Sequence, residues 1–590
     1  MNRKKRRALS YGTALLGLFL IFGVVLGGTG APVWGEIREE HRLCSLQVYL
    51  RGEHELEKLS LEEKIGQILF LSFSGGAQSE ELEELLRRYA PGGFILYSSR
   101  GNVDSPEQVV ALISRAQKEA RRYGVLSPFF AIDQEGGLVD RLRRGVTVFP
   151  GNMALGAAGK AEFAREQARI TASELRALGI TWNFAPVVDV NSNPANPVIN
   201  IRSFGEDPEL VSALGTSMVV PYAEAGVLCS AKHYPGHGDT HVDSHVGLPK
   251  VERTLEELEK VDLLPFRKMA LAGVPSIMTA HVLVPALAPE HPELPATLSR
   301  EVLSKLREEN FRGLIVTDSM GMGALRERWG AGEAALLAVE AGADVLLYGA
   351  DPGSGIPVFQ EVYSALLGGV RTGRIPEERL DESVLRILTA KIQAGLLDDP
   401  FPRPDWKKIL QKETSLGMAR EIAEKSITLL HNRGNLLPLS GKERIPLLLP
   451  EERREKAQPL LEKVPQLVPL SVPATKGCGE LLLPEEIDFV RKAPFLAVAS
   501  WGIGKNPELF EELQRLGALF PEKKMLYLAL RSPYDLLKVP EAEACLCTYG
   551  DVPSSLEALG AVLRGEKLPQ GALPVELPGL YPRGWGMRHF

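Results

Sequence analysis

Cysteine is scarce, with five residues in 590, too few for a disulfide framework. Cys545 and Cys547 lie too close together to form half of a zinc knuckle, and no second pair accompanies them. There is no basic surplus either. Lys and Arg number 68 against 75 Asp and Glu, a net charge of −7, which excludes nucleic acid as the main partner. No 20–50-residue repeat is present, which excludes solenoids and propellers. A Gly-x-Ser-x-Gly elbow is missing, which argues against a serine hydrolase. Long apolar runs are absent outside the N-terminus, so a polytopic membrane protein is excluded. What remains, at 44% hydrophobic and 24% charged residues, is an ordinary globular chain. It exceeds the roughly 250–300 residues at which one core stops growing, so at least two domains are expected.

The N-terminus stands apart. Arg3, Lys4, Lys5, Arg6 and Arg7 precede an uncharged stretch from Ala8 to Gly35. That is the layout of an export signal, and the run is also long enough to span a bilayer. Residues 1–35 are therefore expected to be a signal peptide or an N-terminal membrane anchor. On this reading the body of the chain works outside the cytoplasmic membrane, secreted or anchored to its outer face. Residues 36–57 are a charged lead-in.

From residue 58 onward, short apolar runs alternate with helical patterns. Ile68–Phe73, Gly93–Leu96, Phe129–Ile132, Ile180–Phe184, Val227–Ser230, Ser276–Thr279, Leu314–Thr317 and Asp344–Leu347 read as eight strands. Continuous apolar strands separated by helices imply a parallel sheet covered on both faces. Eight such units predict an α/β fold, a (β/α)8 TIM-type barrel over 58–398, with an open doubly wound sheet as the alternative. The segment Asp398-Asp399-Pro400-Phe401-Pro402-Arg403-Pro404 cannot continue a helix, and 399–416 is expected as a linker. Ser426–His431, Ile445–Leu449, Pro494–Ala499, Lys524–Leu530 and Ala544–Tyr549 then read as the strands of a smaller α/β sandwich domain over 417–590.

In a barrel the working groups project from the C-terminal ends of the strands. Here those ends carry Asp133, Asp189, Lys232, His233, His281 and Asp318. An Asp after a strand is often only a helix N-cap, but five polar strand ends in one domain point to a site. The densest segment runs from Lys232 to His245 and holds His233, His237, His241 and His245. The spacing of His237, His241 and His245 would align metal ligands on a helix, yet Pro235, Gly236 and Gly238 favour a loop. A structural loop is a second reading. Acid/base chemistry is the third, since Asp243-Ser244-His245 places a carboxylate beside an imidazole.

These segments resemble glycoside hydrolase family 3 β-N-acetylhexosaminidases of the NagZ type, in a two-domain form. The resemblance rests on four segments: 133–141 (DQEGGLVDR), 201–208 (IRSFGEDP), 232–245 (KHYPGHGDTHVDSH) and 316–320 (VTDSM). It continues beyond the linker at 423–432, 436–439 and 571–575. It implies Asp318 as nucleophile and His245, held by Asp243, as general acid/base. Asp133, Arg141, Arg202, Lys232 and His233 would bind the sugar. The chemistry is that of a retaining exo-β-N-acetylglucosaminidase that removes terminal GlcNAc from muropeptides or chitooligosaccharides, with no metal or organic cofactor. A histidine departs from the usual pair of carboxylates, but its ordinary pKa near ~6.5 suits a proton donor at neutral pH. The competing functions are a family 3 β-glucosidase, a β-N-acetylglucosamine phosphorylase, a metal-dependent hydrolase and a non-catalytic wall-binding protein.

Overall fold

The computed structural model describes residues 46–242, 247–473 and 481–590. The chain divides into two units, one ending at Lys58 and one running from Leu59 to Phe590. In the first, residues 46–56 are helical. Among the described residues no helix is long and apolar enough to cross a membrane. The apolar run expected as signal or anchor lies outside them.

Among the described residues, the second unit holds two large sheets and a two-stranded hairpin. Eight parallel strands form the first: β1 (Leu69–Leu71), β2 (Gly93–Ile95), β3 (Phe129–Ile132), β4 (Trp182–Asn183), β5 (Leu228–Tyr234), β6 (Ser276–Thr279), β7 (Leu314–Val316) and β8 (Leu346–Tyr348). Their order is β8-β1-β2-β3-β4-β5-β6-β7. A parallel bridge between Val316 and Val345 joins the two ends into a barrel. Every residue of these strands is buried, as expected where helices cover the outside and side chains fill the inside. Phe70 on β1 meets Trp182 on β4, with ring centroids 5.2 Å apart. Those strands are not neighbours, so the rings fill the barrel interior. Phe129 touches the same indole at 5.2 Å, and Trp182 Nε1 donates to Ser230 Oγ at 2.8 Å. Room for these rings requires a small partner: a Cβ on Gly93 would lie 2.4 Å from the Phe70 ring.

Strand β5 runs on to Tyr234 rather than stopping at Ser230. Lys232 and His233 therefore belong to the strand itself. The stretch expected as a linker is strapped along the barrel: Arg403 N donates to Ala177 O, and Gln411 N donates to Glu174 Oε1. The helix Glu413–Ser426 begins within it.

The second sheet contains β9 (Thr428–Asn432), β10 (Ile445–Pro450), β11 (Leu467–Val472), β12 (Leu496–Ser500), β13 (Met525–Ala529) and β14 (Ala544–Cys547). Its order is β9-β14-β13-β12-β10-β11. Only β9 runs antiparallel to its neighbour. Five of the six strands were expected from the sequence. β11 was not, because Pro469 interrupts it and three of its six residues are only partly buried. It lies at the sheet edge, where a residue without N–H is tolerated. One core of this domain takes in Met153, Ala154, Ala157 and Ile201 of the barrel together with Tyr549, Leu573, Val575 and Leu577. The sandwich is thus packed on the helix Asn152–Ala158, which lies between β3 and β4, and on the loop that follows β4.

Candidate active site

Asp133 follows β3 directly, and the chain then turns through a small hairpin, Gln134–Gly136 and Val139–Asp140. The hairpin returns Arg141 to Asp133, with Nη2 to Oδ2 at 3.2 Å. From β5, Lys232 Nζ reaches Asp133 Oδ1 at 2.9 Å and Glu135 Oε1 at 2.7 Å. Arg202, on the turn Asn200–Arg202, forks onto Glu135 through Nε at 3.0 Å and Nη2 at 2.9 Å. Five charged side chains from three strand ends thus form one alternating network. Burial opposes the charged form of Glu135, yet Arg202 and Lys232 overcome it and hold the carboxyl well below its ordinary range. The same balance, burial against Lys232 and Arg141, lowers Asp133.

Exposure divides the labour. The side chains of Arg141, Arg202 and Asp133 are 32%, 13% and 12% exposed, whereas Lys232 and Glu135 are each 2% exposed. The first three keep donors and acceptors within reach of solvent. The last two form the buried floor that fixes them.

His233 is oriented by Asp189, which follows β4. Its Nδ1 lies 2.7 Å from Asp189 Oδ2. Burial disfavours an ionised Asp189, but His233 outweighs it and the carboxyl pKa is lowered. A carboxylate only accepts, so Nδ1 carries the hydrogen, and Arg202 Nη2 approaches Nε2 at 3.4 Å. Asp189 also accepts the backbone N–H of His233 and, at 2.7 Å, that of His237. It thereby shapes the turn that follows β5. The Lys232–His233 peptide bond near the end of β5 and the Tyr234–Pro235 bond that leads into the turn are cis.

His237 and His241 take different partners. His237 Nδ1 meets Thr240 Oγ1 at 2.8 Å, and His241 Nδ1 meets Asn193 Nδ2 at 3.1 Å. Among the described residues no group of three or more His, Cys, Asp or Glu is placed to hold a metal. Asp239 pairs with Arg253 at 3.1 Å. Asp243 and His245 lie outside the described residues.

Burial pushes His237 down to about 4. The folded state binds its proton less tightly than the unfolded chain, whose value is near ~6.5. The stability this carries is complete above that pH and is lost as pH falls toward about 4. The thermal midpoint is expected to drop across this window, and the slope of midpoint against pH is expected to flatten in His237→Gln. An unchanged slope in that variant, read by thermal unfolding from pH 7.5 downward in half-unit steps (roughly the resolution needed), would contradict the assignment.

Asp318 follows β7. Its Oδ1 accepts the Ser319 N–H at 2.7 Å, and its own N–H donates to Thr279 O at 3.2 Å. Tyr97, just past β2, neighbours both Asp318 and the ion-paired network. Arg141 lies 4.9 Å over its ring. Burial first, then the neighbouring charges of Asp133, Asp351 and Asp318, push the phenol well above its ordinary value.

The structure therefore brings Asp133, Arg141, Arg202, Lys232 and His233 into one cluster, with Asp318 and Tyr97 beside it. Sequence reasoning did not single out Glu135, Tyr97 or Asp351 and gave Asp189 no role. Each stands at the C-terminal end of a strand or just beyond it, the signal by which they could have been found.

The chain matches the family model described as "Glycosyl hydrolase family 3 N terminal domain" over residues 60–390. It is 32% identical over 550 residues to Beta-hexosaminidase A of Pseudoalteromonas piscicida, covering 84% of this chain and 90% of that protein. It is 29% identical to a Beta-N-acetylglucosaminidase/beta-glucosidase of Cellulomonas fimi, covering 88% and 94%. Among solved structures, a glycoside hydrolase family 3 beta-N-acetylglucosaminidase from Paenibacillus sp. str. FPU-7 superposes with a TM-score of 0.80 at 37% identity, over 88% of this chain and 99% of that one. With the barrel, the second sheet and the polar strand ends in place, the chain belongs to glycoside hydrolase family 3.

Proposed function

We propose that this protein is a retaining exo-β-N-acetylglucosaminidase that removes terminal GlcNAc from cell-wall muropeptides or chitooligosaccharides. The coarser activity, a glycoside hydrolase acting as a β-N-acetylhexosaminidase, follows from the family and from relatives that carry that name across most of the chain. The finer reading is carried by one observation: a carboxylate, Asp318, sits at a strand end beside a preformed cluster of hydroxyl-binding groups, with its Oδ1 held by a backbone N–H.

In the proposed course, Asp318 attacks the anomeric carbon as the bond to the leaving oxygen breaks. His245, as imidazolium, gives its proton to that oxygen. Neutral His245 then takes a proton from water, the water oxygen bonds to the same carbon, and Asp318 departs. Two displacements retain the β configuration. Asp243 orients the imidazole and stabilises its charged form. Asp133, Arg141 and Arg202 hold the sugar hydroxyls and the acetamido carbonyl. The export-type N-terminus supports work outside the cytoplasmic membrane, by secretion or by a tether through residues 1–35.

A β-glucosidase is the second reading, since the Cellulomonas fimi relative carries both names. Initial rates on aryl β-N-acetylglucosaminide and aryl β-glucoside decide between them. The acetamido sugar is expected to be preferred by about 10²-fold in kcat/KM, because a site built around a hydrogen-bonding group rejects the analogue that lacks it. Equal turnover of the two would overturn the N-acetylglucosaminidase reading. Sugar 1-phosphate appearing when inorganic phosphate is added would overturn the hydrolase reading in favour of a phosphorylase.

A further inference from the structure

The peptide that holds the nucleophile is itself held from three sides, and one holder is an acidic residue from a different strand. Ser319 Oγ donates a hydrogen bond to Asp351 Oδ2, just past β8. The same oxygen accepts from Gly349 N at 2.7 Å. Ser319 O accepts from His281 Nε2 at 2.9 Å, and Met320 N donates to Leu347 O at 2.8 Å. These bonds hold Ser319 in place, and its N–H donates to Asp318 Oδ1.

The junction is crowded. A Cβ built on Gly349 would lie 2.7 Å from Tyr97 OH, 2.9 Å from Ser319 Oγ and 3.3 Å from Asp351 Oδ2. Three polar side chains converge on a spot that glycine alone leaves open. One of them, Tyr97, lies under the Arg141 guanidinium, which in turn binds Asp133. The sugar-binding cluster and the nucleophile's support thus meet at Gly349.

We propose that Asp351 is a positioning residue for the nucleophile, acting through Ser319 rather than by touching the sugar. The inference rests on the reading of Asp318 as nucleophile. A bond to an ionised acceptor is about twice as strong as one between neutral groups, so Asp351 fixes the Ser319 hydroxyl more firmly than an amide would. Without it the hydroxyl rotates, the peptide relaxes, and the Asp318 carboxylate turns away from the line of attack.

The test compares Ser319→Ala, Ser319→Thr, Asp351→Asn and the double variant Ser319→Ala/Asp351→Asn in the full chain. The substrates are aryl β-N-acetylglucosaminides whose phenols span a range of pKa. Ser319→Ala and Asp351→Asn are each expected to lower kcat about 10–100-fold, the cost of a small misplacement of a reacting group, with KM changed less than about threefold. Ser319→Thr keeps the hydroxyl and is expected to restore kcat. The dependence of log kcat on leaving-group pKa should steepen in the two impaired variants, because formation of the glycosyl-enzyme has become limiting. The double variant should be no slower than the worse single one, since the two groups act as a unit. Single variants within about twofold of wild type would overturn the proposal, as would losses that multiply in the double or a lowered thermal midpoint with an unchanged leaving-group slope. If Asp318→Asn is itself active, the nucleophile reading fails. If Asp318→Asn is inactive while Ser319→Ala and Asp351→Asn are normal, only the positioning role fails.

Discussion

Asp318→Asn is expected to lose turnover by about 10⁴-fold or more, the order seen when a catalytic group that forms a covalent bond is removed. Such a loss corresponds to about 5.4 kcal/mol of transition-state stabilisation. The substitution is nearly isosteric, and an amide oxygen still accepts the Ser319 N–H, so folding and sugar binding should be unaffected. Loss of kcat with KM and thermal midpoint preserved is therefore the expected pattern. A further substitution, Asp318→Ala, opens the space the carboxylate filled. Azide should then restore part of the turnover and yield the α-glycosyl azide, because the anion attacks from the face Asp318 occupies. Residual activity of Asp318→Asn within about tenfold of wild type would move the nucleophile elsewhere and, with it, the whole proposed course.

Glu135→Gln is expected to destabilise the fold by about 3–5 kcal/mol, the cost of breaking a buried ion pair by removing one partner. Glu135 compensates two cations at once, Arg202 and Lys232. Neutralising it leaves only Asp133 among the carboxylates of the network to answer three cations. A Gln side chain fills the same volume, so the loss would be one of charge rather than packing. Because the folded pKa of Glu135 lies below the unfolded one, the wild-type stability it supplies is complete above about pH 4.5 and is lost only as pH falls toward the folded value. Chemical denaturation at pH 7 and at pH 5 should therefore report nearly the same deficit for the variant. Weakened sugar binding should accompany it, since Arg202 would no longer be held in a fork. A variant as stable as wild type at pH 7 would mean that water or a shifted cation compensates Glu135.

Phe129–Ile132 and Leu314–Val316 could be read from the sequence because a strand covered on both faces is largely apolar, and few other segments are. Leu467–Val472 could not, since an edge strand needs neither continuous burial nor every N–H. The site divides in the same way. Asp133, Lys232 and Asp318 announce themselves as polar residues at the ends of apolar strands. Glu135 reads as part of a turn until the hairpin folds back and Arg202, 67 residues later, reaches it. Asp189 was visible at the end of a strand, but its partner His233 lies 44 residues away, and no local pattern records that pairing. Asp351 is illegible for the same reason: its meaning depends on the serine it meets at the neighbouring strand end, 32 residues away. The roles of Asp243 and His245 rest on the motif alone, because both lie outside the described residues.

The loop that carries Arg202 is gripped by a segment made much later. Glu206 N donates to Pro574 O, and Glu576 N donates to Glu206 Oε2 across a separation of 370 residues. A Cβ on Gly205 would lie 2.5 Å from that same Pro574 carbonyl. At ribosomal rates of about 5–20 residues per second, this separation amounts to roughly 20–70 s of synthesis. The barrel strands have all emerged well before the peptide that completes the loop of Arg202. Nascent chains arrested before residue 574 should therefore hold a closed barrel with an unfinished subsite, and catalytic competence should arrive as a late step rather than together with the fold.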